Sequence, residues 1–279
     1  LIALKLPPGR TIEVIVVDND VAGSASLVAR SRSQTLSSLR YFVEPRTNIA
    51  HARNRALHEA QGEWLMFIDD DEVADESWVT SYMALLETVE CDGAFGPVIP
   101  RLEEAGSLWL DVETFYSRKR HATGTIVGSG NVRTGNAMIR RALLEGHSFD
   151  PAFGETGGSD TELFGKLCAR GARFVWCDEA QVVEFIPPGR HCLGWLTQRS
   201  FRGGYVYARL KYGSSTAGFF VGLLRVAVLL SAFSILLLPA IVAGRRNFSR
   251  LWLRVCVQVG MLWSLFGGTY QEYGNSSVP

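Results

Sequence analysis

Two apolar runs that end in acids constrain this chain more than any other feature. The first, TIEVIVVDND, closes on Asp18 and Asp20, and the second, EWLMFIDDDE, closes on Asp69, Asp70 and Asp71. Short runs of β-branched and aromatic residues without helical spacing read as buried strands, the first of them a parallel one. Between them, TNIAHARNRALHEAQG has Ala and Leu at helical spacing, with Thr47 or Asn48 as its start and Gly62 as its stop. DESWVTSYMALLETVE predicts a second helix with Asp75 as N-cap, and GAFGPVI predicts a third strand. Strands alternating with helices predict an α/β fold with right-handed crossovers. Ligands of open α/β sheets bind outside the carboxyl ends of the strands, so the two acidic ends are expected to share one ligand-binding rim.

The middle of the chain, GTIVGSGNVRTGNAMIRRALLEG, is rich in Gly and Asn and predicts loops, a strand around Ala137–Ile139 and a short helix. The following FDPAFGETGGSDTELFGKLCARGARFVWCDEAQVVEF reads as a loop, a helix and an edge hairpin or strand. Ser159 and Glu162 have capping-box spacing, and Gly171 is placed to close the helix. Asp160 then falls in the first turn, where the helix dipole and free N–H groups favour a charged carboxylate. A carboxylate held ionised there can take a proton from an incoming hydroxyl; it can equally do no more than stabilise the helix.

Three adjacent aspartates repel one another and resist burial, so a metal ion, a cationic partner or solvent must compensate. Mg²⁺ commonly takes one or two carboxylates and completes its shell with substrate phosphates and water. A Ca²⁺-binding EF-hand is excluded, because its sixth and twelfth positions counted from Asp69 are Ala74 and Thr80. An Asp-x-Asp pair of phosphatase type is formally present as Asp69 and Asp71, and a solvated acidic turn also fits.

Lys plus Arg and Asp plus Glu both number 28, which gives no charge argument for nucleic-acid binding. Five cysteines without a CxxC pair argue against a zinc site or a disulfide framework and fit a reducing compartment. Past IPPGR the character changes. HCLGWLTQRSFRGGYVYARLKYG mixes aromatic and basic residues, as a helix at a membrane surface does. Arg190, Arg199 and Arg202 in and before it suit a diphosphate, lipid headgroups or plain solvation. Val226 to Gly244 carries no charge and, at about 1.5 Å per residue, reaches nearly the thickness of a bilayer core. RRNFSR and a shorter apolar run follow. A transmembrane or re-entrant hairpin is expected, although Arg245, Arg246 and Arg250 in a two-span connection would oppose the preference of positive loops for the cytoplasm.

Taken in order, EVIVVDN, NIAHARNRALHEAQGEWLMFIDDDE, GPVIP, TGNAMIRR, FDPAFGETGGSDTELFGKLCARGARFVWC and VVEFIPPGR…RSFRGG resemble family 2 glycosyltransferases of the GT-A fold, nearest to the bacterial exopolysaccharide, succinoglycan-type enzymes. The resemblance covers about Thr11 to Gly204. It implies a Rossmann-like mixed sheet flanked by helices over 1–190, an amphipathic interfacial helix over 191–213, and a hydrophobic membrane-associated hairpin and tail over 214–279.

The resemblance also implies inverting transfer of a sugar from a nucleotide-diphosphate sugar, a UDP sugar, to a saccharide or lipid-linked acceptor, with Mg²⁺ or Mn²⁺ as cofactor. Asp160 takes the position of the general base. Asp71 and Asp69 take the metal positions, while Asp18, Asp20, Arg53, Asp69 and Asp70 fall on the donor side. Asn136, Arg199 and Arg202 fall on the acceptor or diphosphate side. The family places Glu before its base, where this chain has Ser159, and its QxxRW-like segment has no Trp here. The expected location is the cytoplasmic (inner) membrane, with the catalytic domain on the cytoplasmic side and no nucleic-acid partner. LIALKLPP is expected to be the tail of the helix after the family's first strand, which makes the chain as it stands poorly stable and inactive. An inactive nucleotide-sugar-binding subunit and a metal-dependent phosphatase or nucleotidyltransferase are the alternatives.

Overall fold

A computed structural model describes residues 1, 3–105, 109–213 and 215–270. In chain order the elements are β1 (Val14–Asp18), α1 (Ser26–Ser33), β2 (Leu39–Val43), α2 (Ile49–Glu59), β3 (Trp64–Ile68), β4 (Glu72–Ala74), α3 (Trp78–Thr88), β5 (Gly93–Phe95), β6 (Val98–Leu102), α4 (Val112–Tyr116), β7 (Asn136–Arg140), α5 (Arg141–Leu144), α6 (Ser159–Ala169), β8 (Phe174–Trp176), β9 (Val182–Ile186), α7 (Leu193–Tyr212), α8 (Thr216–Val242) and α9 (Arg245–Leu265). The chain divides into two compact units. The first holds residues 1–99 and 118–184; the second holds 100–117 and, among described residues, 185–270. The linear boundaries 1–190, 191–213 and 214–279 do not contain this grouping of 100–117 with the C-terminal helices.

The first unit is a mixed α/β structure. β1 and β2 pair in parallel, Val14 opposite Leu39 through Asp18 opposite Val43. A second sheet has the order β3-β7-β5-β8, in which β7 runs antiparallel to both neighbours and β8 parallel to β5. β4 and β9 pair antiparallel in a third sheet whose order is β4-β9-β6. The apolar run before Asp69 is therefore a strand with an antiparallel neighbour in a mixed sheet. The run GAFGPVI is two strands, broken where Gly96 passes so close to its neighbours that a Cβ would lie 2.2 Å from the Ala180 carbonyl oxygen. α1 and β2 fill a stretch that carried no strong periodic signal.

Packing closes around Phe95, Phe149, Phe164 and Phe174, whose rings meet edge to face at 5.3–6.4 Å. A second cluster gathers Trp78, Tyr82, Leu85, Met138 and Val175 on α3 and its sheet. Residues 3–10 form turns and loop rather than the end of a helix. Leu4 and Ile12 pack on that second cluster, and the Lys5 amide donates to the Glu76 carbonyl at 2.8 Å.

The helix ends refine the sequence reading. Asn48 caps α2, its side chain accepting from the Ala50 amide at 2.9 Å. Asp75 does not cap α3. It closes a turn just before it, accepting from the amide and hydroxyl of Ser77 at 2.9 and 2.6 Å. Ser159 is the first helical residue of α6 rather than its cap. Gly158, at φ +93°, holds the cap position with a backbone only glycine adopts readily, so there is no capping box. Gly171 does follow the helix end, at φ +96°. All five cysteines are free, and Cys192 is exposed.

In the second unit, Leu110, Val112, Tyr116, Ile186 and Leu196 form one buried cluster, with Leu253 against it. This is why residues 100–117 belong with the C-terminal helices. α7 packs along α9 with backbones in contact. A Cβ on Gly204 would lie 1.9 Å from the Val257 carbonyl oxygen, and one on Gly260 would lie 1.9 Å from that of Phe201. α8 lies against α9 and contains Pro239 near its end. Among the described residues α8 is the one helix long and apolar enough to cross a membrane.

Candidate active site at the acidic strand ends

The first acidic end is tightly held. Asp18 Oδ2 accepts from the Tyr41 hydroxyl at 2.7 Å and the Ala25 amide at 2.8 Å, and Oδ1 accepts from the Asp20 amide at 2.9 Å. Removal from water pushes the Asp18 carboxyl up, but these three donors outweigh it and hold the group below the usual carboxylate range. Tyr41 is pushed up to about 12 by its own desolvation and by Asp18. Asp20 accepts from the Ala22 amide at 2.9 Å and stays exposed.

Between these acids, Asn19 does work that the sequence reading missed. Its amide donates to the carbonyls of Glu44 and Arg46, both at 2.8 Å, and its oxygen accepts from the Asn48 amide at 2.8 Å. Asn48 then donates to the Pro151 carbonyl at 3.0 Å. Gly154 lies so near that a Cβ would sit 1.7 Å from Asn48 Oδ1. The end of β1, the start of α2 and the loop leading to Asp160 are thereby fixed to one another. At the opposite end of the strands, Glu13 Oε1 accepts from the amides of Gln61 and Gly62 at 2.6 and 2.9 Å. β1 and β3 therefore set out from the same level.

One turn into α2, Arg53 joins the second acidic end to the Asp160 loop. Its Nη1 donates to Ser159 Oγ at 3.2 Å, its Nη2 lies 3.8 Å from Asp69 Oδ1, and its guanidinium covers the Phe149 ring at 5.6 Å. Asp69 remains open to solvent, with 46% of its side chain exposed, so a ligand can reach it. Surrounding protein pushes the Asp69 carboxyl up. Arg53 opposes this, while Asp71, Asp160 and Asp70 add to it. Asp160 is thus close enough for its charge to be felt at Asp69.

Glu72 completes the cluster and was quoted in the sequence motif without receiving a role. Its Oε2 accepts from the Asp69 amide at 2.9 Å. Burial first, then the charges of Asp69, Glu184 and Asp71, push it up to about 9. Glu72 therefore carries a proton at neutral pH, which lowers the charge density beside the aspartates. Gly135 makes room for it, since a Cβ there would lie 2.8 Å from Glu72 Oε1 and 3.5 Å from Asp69 Oδ2.

Asp160 stands at the second position of α6, reached through Gly157 and Gly158, both with left-handed φ. Its Oδ1 accepts from the Thr161 amide at 2.7 Å. Asp70 is exposed and Asp71 half-buried at the same rim.

Asn136 does not belong with them. It is 3% exposed. Its amide nitrogen donates to the carbonyls of Pro97 and Ala180 at 3.0 and 2.6 Å, and its oxygen accepts from Trp78 Nε1 and the Tyr82 hydroxyl at 2.8 and 2.7 Å. Every hydrogen-bonding position of the amide is occupied by protein, so Asn136 is an interior joint rather than a ligand contact. Arg199 and Arg202 lie on α7 in the second unit, where the Arg199 guanidinium covers the Tyr116 ring at 5.0 Å.

Among the described residues no group of three His, Cys, Asp or Glu side chains is placed to hold a metal ion alone. The donor chemistry nevertheless suits a hard cation completed by phosphate oxygens. Asp69 and Asp71 supply carboxylates at an open rim, and Mg²⁺ needs no more than one or two.

One family model, one full-length relative and a shared fold are found among known proteins. The model of glycosyl transferase family 2 matches residues 2–147. The succinoglycan biosynthesis protein ExoM of Rhizobium meliloti (strain 1021) is 32% identical over 295 aligned residues, covering all of this chain and 91% of that protein. Among solved structures, S. aureus TarS 1–349 in complex with UDP-GlcNAc aligns over all of this chain and 92% of its own, at 14% identity and a TM-score of 0.53. The same protein with UDP aligns at 16% identity and a TM-score of 0.52, over all of this chain and 91% of its own.

Proposed function

The chain belongs to glycosyl transferase family 2 and is a glycosyltransferase with a GT-A-like fold, and from this we propose that it is an inverting, metal-dependent enzyme of cell-surface polysaccharide synthesis. The donor is a nucleotide-diphosphate sugar, most simply a UDP sugar, as UDP and UDP-GlcNAc are the ligands of the TarS structures. The acceptor is a hydroxyl of a saccharide or of a lipid-linked saccharide. A scaffold without activity, a phosphatase and a nucleotidyltransferase are not favoured by this kinship.

The observation that carries the reading is the Arg53 bridge, one guanidinium in contact with both Asp69 and Ser159. It sets the acids that suit a diphosphate beside the acid that suits an acceptor hydroxyl. In the proposed reaction Asp18 and Asp20 orient the nucleoside, and Asp70 faces the ribose or diphosphate. Asp71 and Asp69 would hold Mg²⁺ or Mn²⁺, which when bound neutralises charge developing on the departing diphosphate. Asp160 accepts the proton of the acceptor hydroxyl as its oxygen attacks the anomeric carbon. That oxygen comes from the acceptor and displaces the diphosphate in one step, so the anomer inverts.

Ser159 has a definite part. A carboxylate in its place would compete with Asp69 for Arg53, whereas the hydroxyl leaves the guanidinium charge to Asp69.

Membrane attachment through α8 would keep the enzyme near a lipid-linked acceptor, on the cytoplasmic face where nucleotide sugars are made. Titrating UDP sugars into Asp71→Ala with and without a chelator tests the metal positions. Metal-dependent donor affinity should vanish, and unchanged affinity in both conditions would overturn that assignment.

A further inference from the structure

From residue 185 to residue 270 the chain contains ten Arg and Lys and no Asp or Glu. Within this stretch, α8 buries only Gly222 and Val226 and presents Val221, Leu224, Val228, Ile235, Leu238 and Val242 to the outside, each more than half exposed. Their spacing of three, four, seven, three and four residues places these six on one face, and Phe220, Leu236 and Ile241, also more than half exposed, widen it to over half of the helix. At one end of α9, Trp263 and Phe266 are also exposed, and the Phe266 ring meets Phe219 of α8 at 5.8 Å. Exposed cations lie at both ends of α8: Lys211 and Arg225 near its start, Arg245 and Arg246 just past its end.

We propose that this region binds an anionic lipid bilayer by lying in its plane, with the outward face of α8 sunk among the acyl chains and no helix crossing. The inference deepens the membrane attachment proposed above and rests on it.

The packing of the three helices opposes a perpendicular arrangement of the unit. α7 and α9 run side by side in the same direction. Leu253 packs in the cluster of Leu196, the Trp252 indole donates to the Thr197 hydroxyl at 2.9 Å, and Met261 packs with Ala208 and Tyr212. α8 returns along them, with Gly222 against Tyr212 and Leu265. If α8 stood across a bilayer, both neighbours would stand with it. On α7, however, only the six residues from Gly203 to Ala208 separate Arg202 from Arg209, a rise of about 10 Å against about 30 Å of hydrocarbon. Arg254 on α9 would also enter the apolar layer. Charges there are costly unless they face a bundle interior or water.

The start of α9 is also pinned to the segment 100–117. Asp111 accepts from both Arg246 and Arg250, and the Ser249 hydroxyl donates to the Trp109 carbonyl at 3.5 Å. Lying flat, α8 buries one apolar face while α7 and α9 keep their cations at headgroup level. Anionic lipids attract the exposed cations at the two ends of α8. The arginines between α8 and α9 then stay on the same side as the rest of the protein, and the conflict with the positive-inside preference disappears.

The whole chain, purified in detergent and added to preformed vesicles of phosphatidylcholine with phosphatidylglycerol, tests this. Single cysteines are placed at Thr216→Cys or Asn247→Cys in a Cys192→Ser background and treated with a membrane-impermeant maleimide. Both should label fully on intact vesicles, and the protein should float less with pure phosphatidylcholine. Leu224→Glu combined with Leu238→Glu should reduce flotation more than tenfold, since each replaces an exposed apolar side chain that the bilayer would bury with a charge. Protection of either cysteine until detergent is added overturns the proposal, as does flotation of the double variant or failure of the parent chain to float with anionic vesicles. Sugar transfer in detergent to a soluble acceptor is measured in parallel, so a failure of the transferase reading is seen separately from a failure of docking.

Discussion

The acidic rim of the first unit and the helices of the second solve opposite electrostatic problems. All 28 Asp and Glu lie outside residues 185–270, and ten of the 28 Lys and Arg lie inside that stretch. The near-zero net charge of the chain conceals this separation. At the rim, acids are gathered at strand ends, and burial first, then neighbouring carboxylates, push the Asp69 and Glu72 carboxyls up, with Arg53 opposing at Asp69. In the helices from residue 185 onward, cations are spread along exposed edges, and two of them lock Asp111 of the segment 100–117 between them. The first arrangement gathers carboxylates at an open rim that a cation can reach and suits chemistry. The second sets exposed cations around an apolar helix and suits a surface.

The sharpest way to break this division is at Asp160. Asp160→Asn should lose about 10²–10⁴-fold in turnover, while donor affinity measured by calorimetry stays close to the parent. Retained turnover would remove the base from the rim.

Asn136→Ala comes next and should act on stability alone. It strands the Trp78 indole, the Tyr82 hydroxyl and two carbonyls, at a cost of at least about 3 kcal/mol in chemical denaturation. Donor affinity of the fraction still folded should not change. A selective loss of donor binding would return Asn136 to the site.

Gly260→Ala probes the second unit in the same way. The added Cβ meets the Phe201 backbone, which cannot swing aside, so about 1–3 kcal/mol should be lost. Because the clash lies in the helical unit, donor binding should persist at temperatures where the variant is still folded.

The smallest effect is that of Asp111 on acid stability. Hydrogen bonds from Arg250 first, then from Thr114 and Arg246, hold its carboxyl down at about 2. A depressed carboxylate stabilises the fold above its unfolded value near 4, and that contribution fades as pH falls toward 2. Asp111→Asn should therefore lower the melting temperature at pH 6 and flatten its decline between about pH 4 and 2. An unchanged acid limb would show that the arginine cluster is not what holds α9 to residues 100–117.

How much of this was legible in the sequence depends on whether the cause is local. β1, α2, β3, β7 and α6 each carry their own periodic pattern, and Asn48 and Gly171 their own end signals. α1 and β2 were missed because Ser26–Ser33 has little apolar periodicity and Leu39–Val43 is only partly buried. Asn19 offered one hint, an amide between two acids at a strand end. Its partners, Glu44, Arg46 and Asn48, lie 25–29 residues away, so its role is invisible before folding. Glu72 was visible as an acid, but its displaced titration comes from burial and from Glu184, which β9 brings opposite it.

The sequence by itself determined the alternation of strands and helices, the acids at the strand ends, the glycine-framed Asp160, the family and the acid-free stretch 185–270. These follow from neighbours in the chain: period, propensity, spacing and composition. Tertiary structure decided which of those groups meet. It gave Arg53 to Asp69 and Ser159, took Asn136 into the interior, and set α7 and α9 beside α8. The physical reason is that burial, hydrogen-bond satisfaction and helix contact depend on distances through space, and packing alone fixes those.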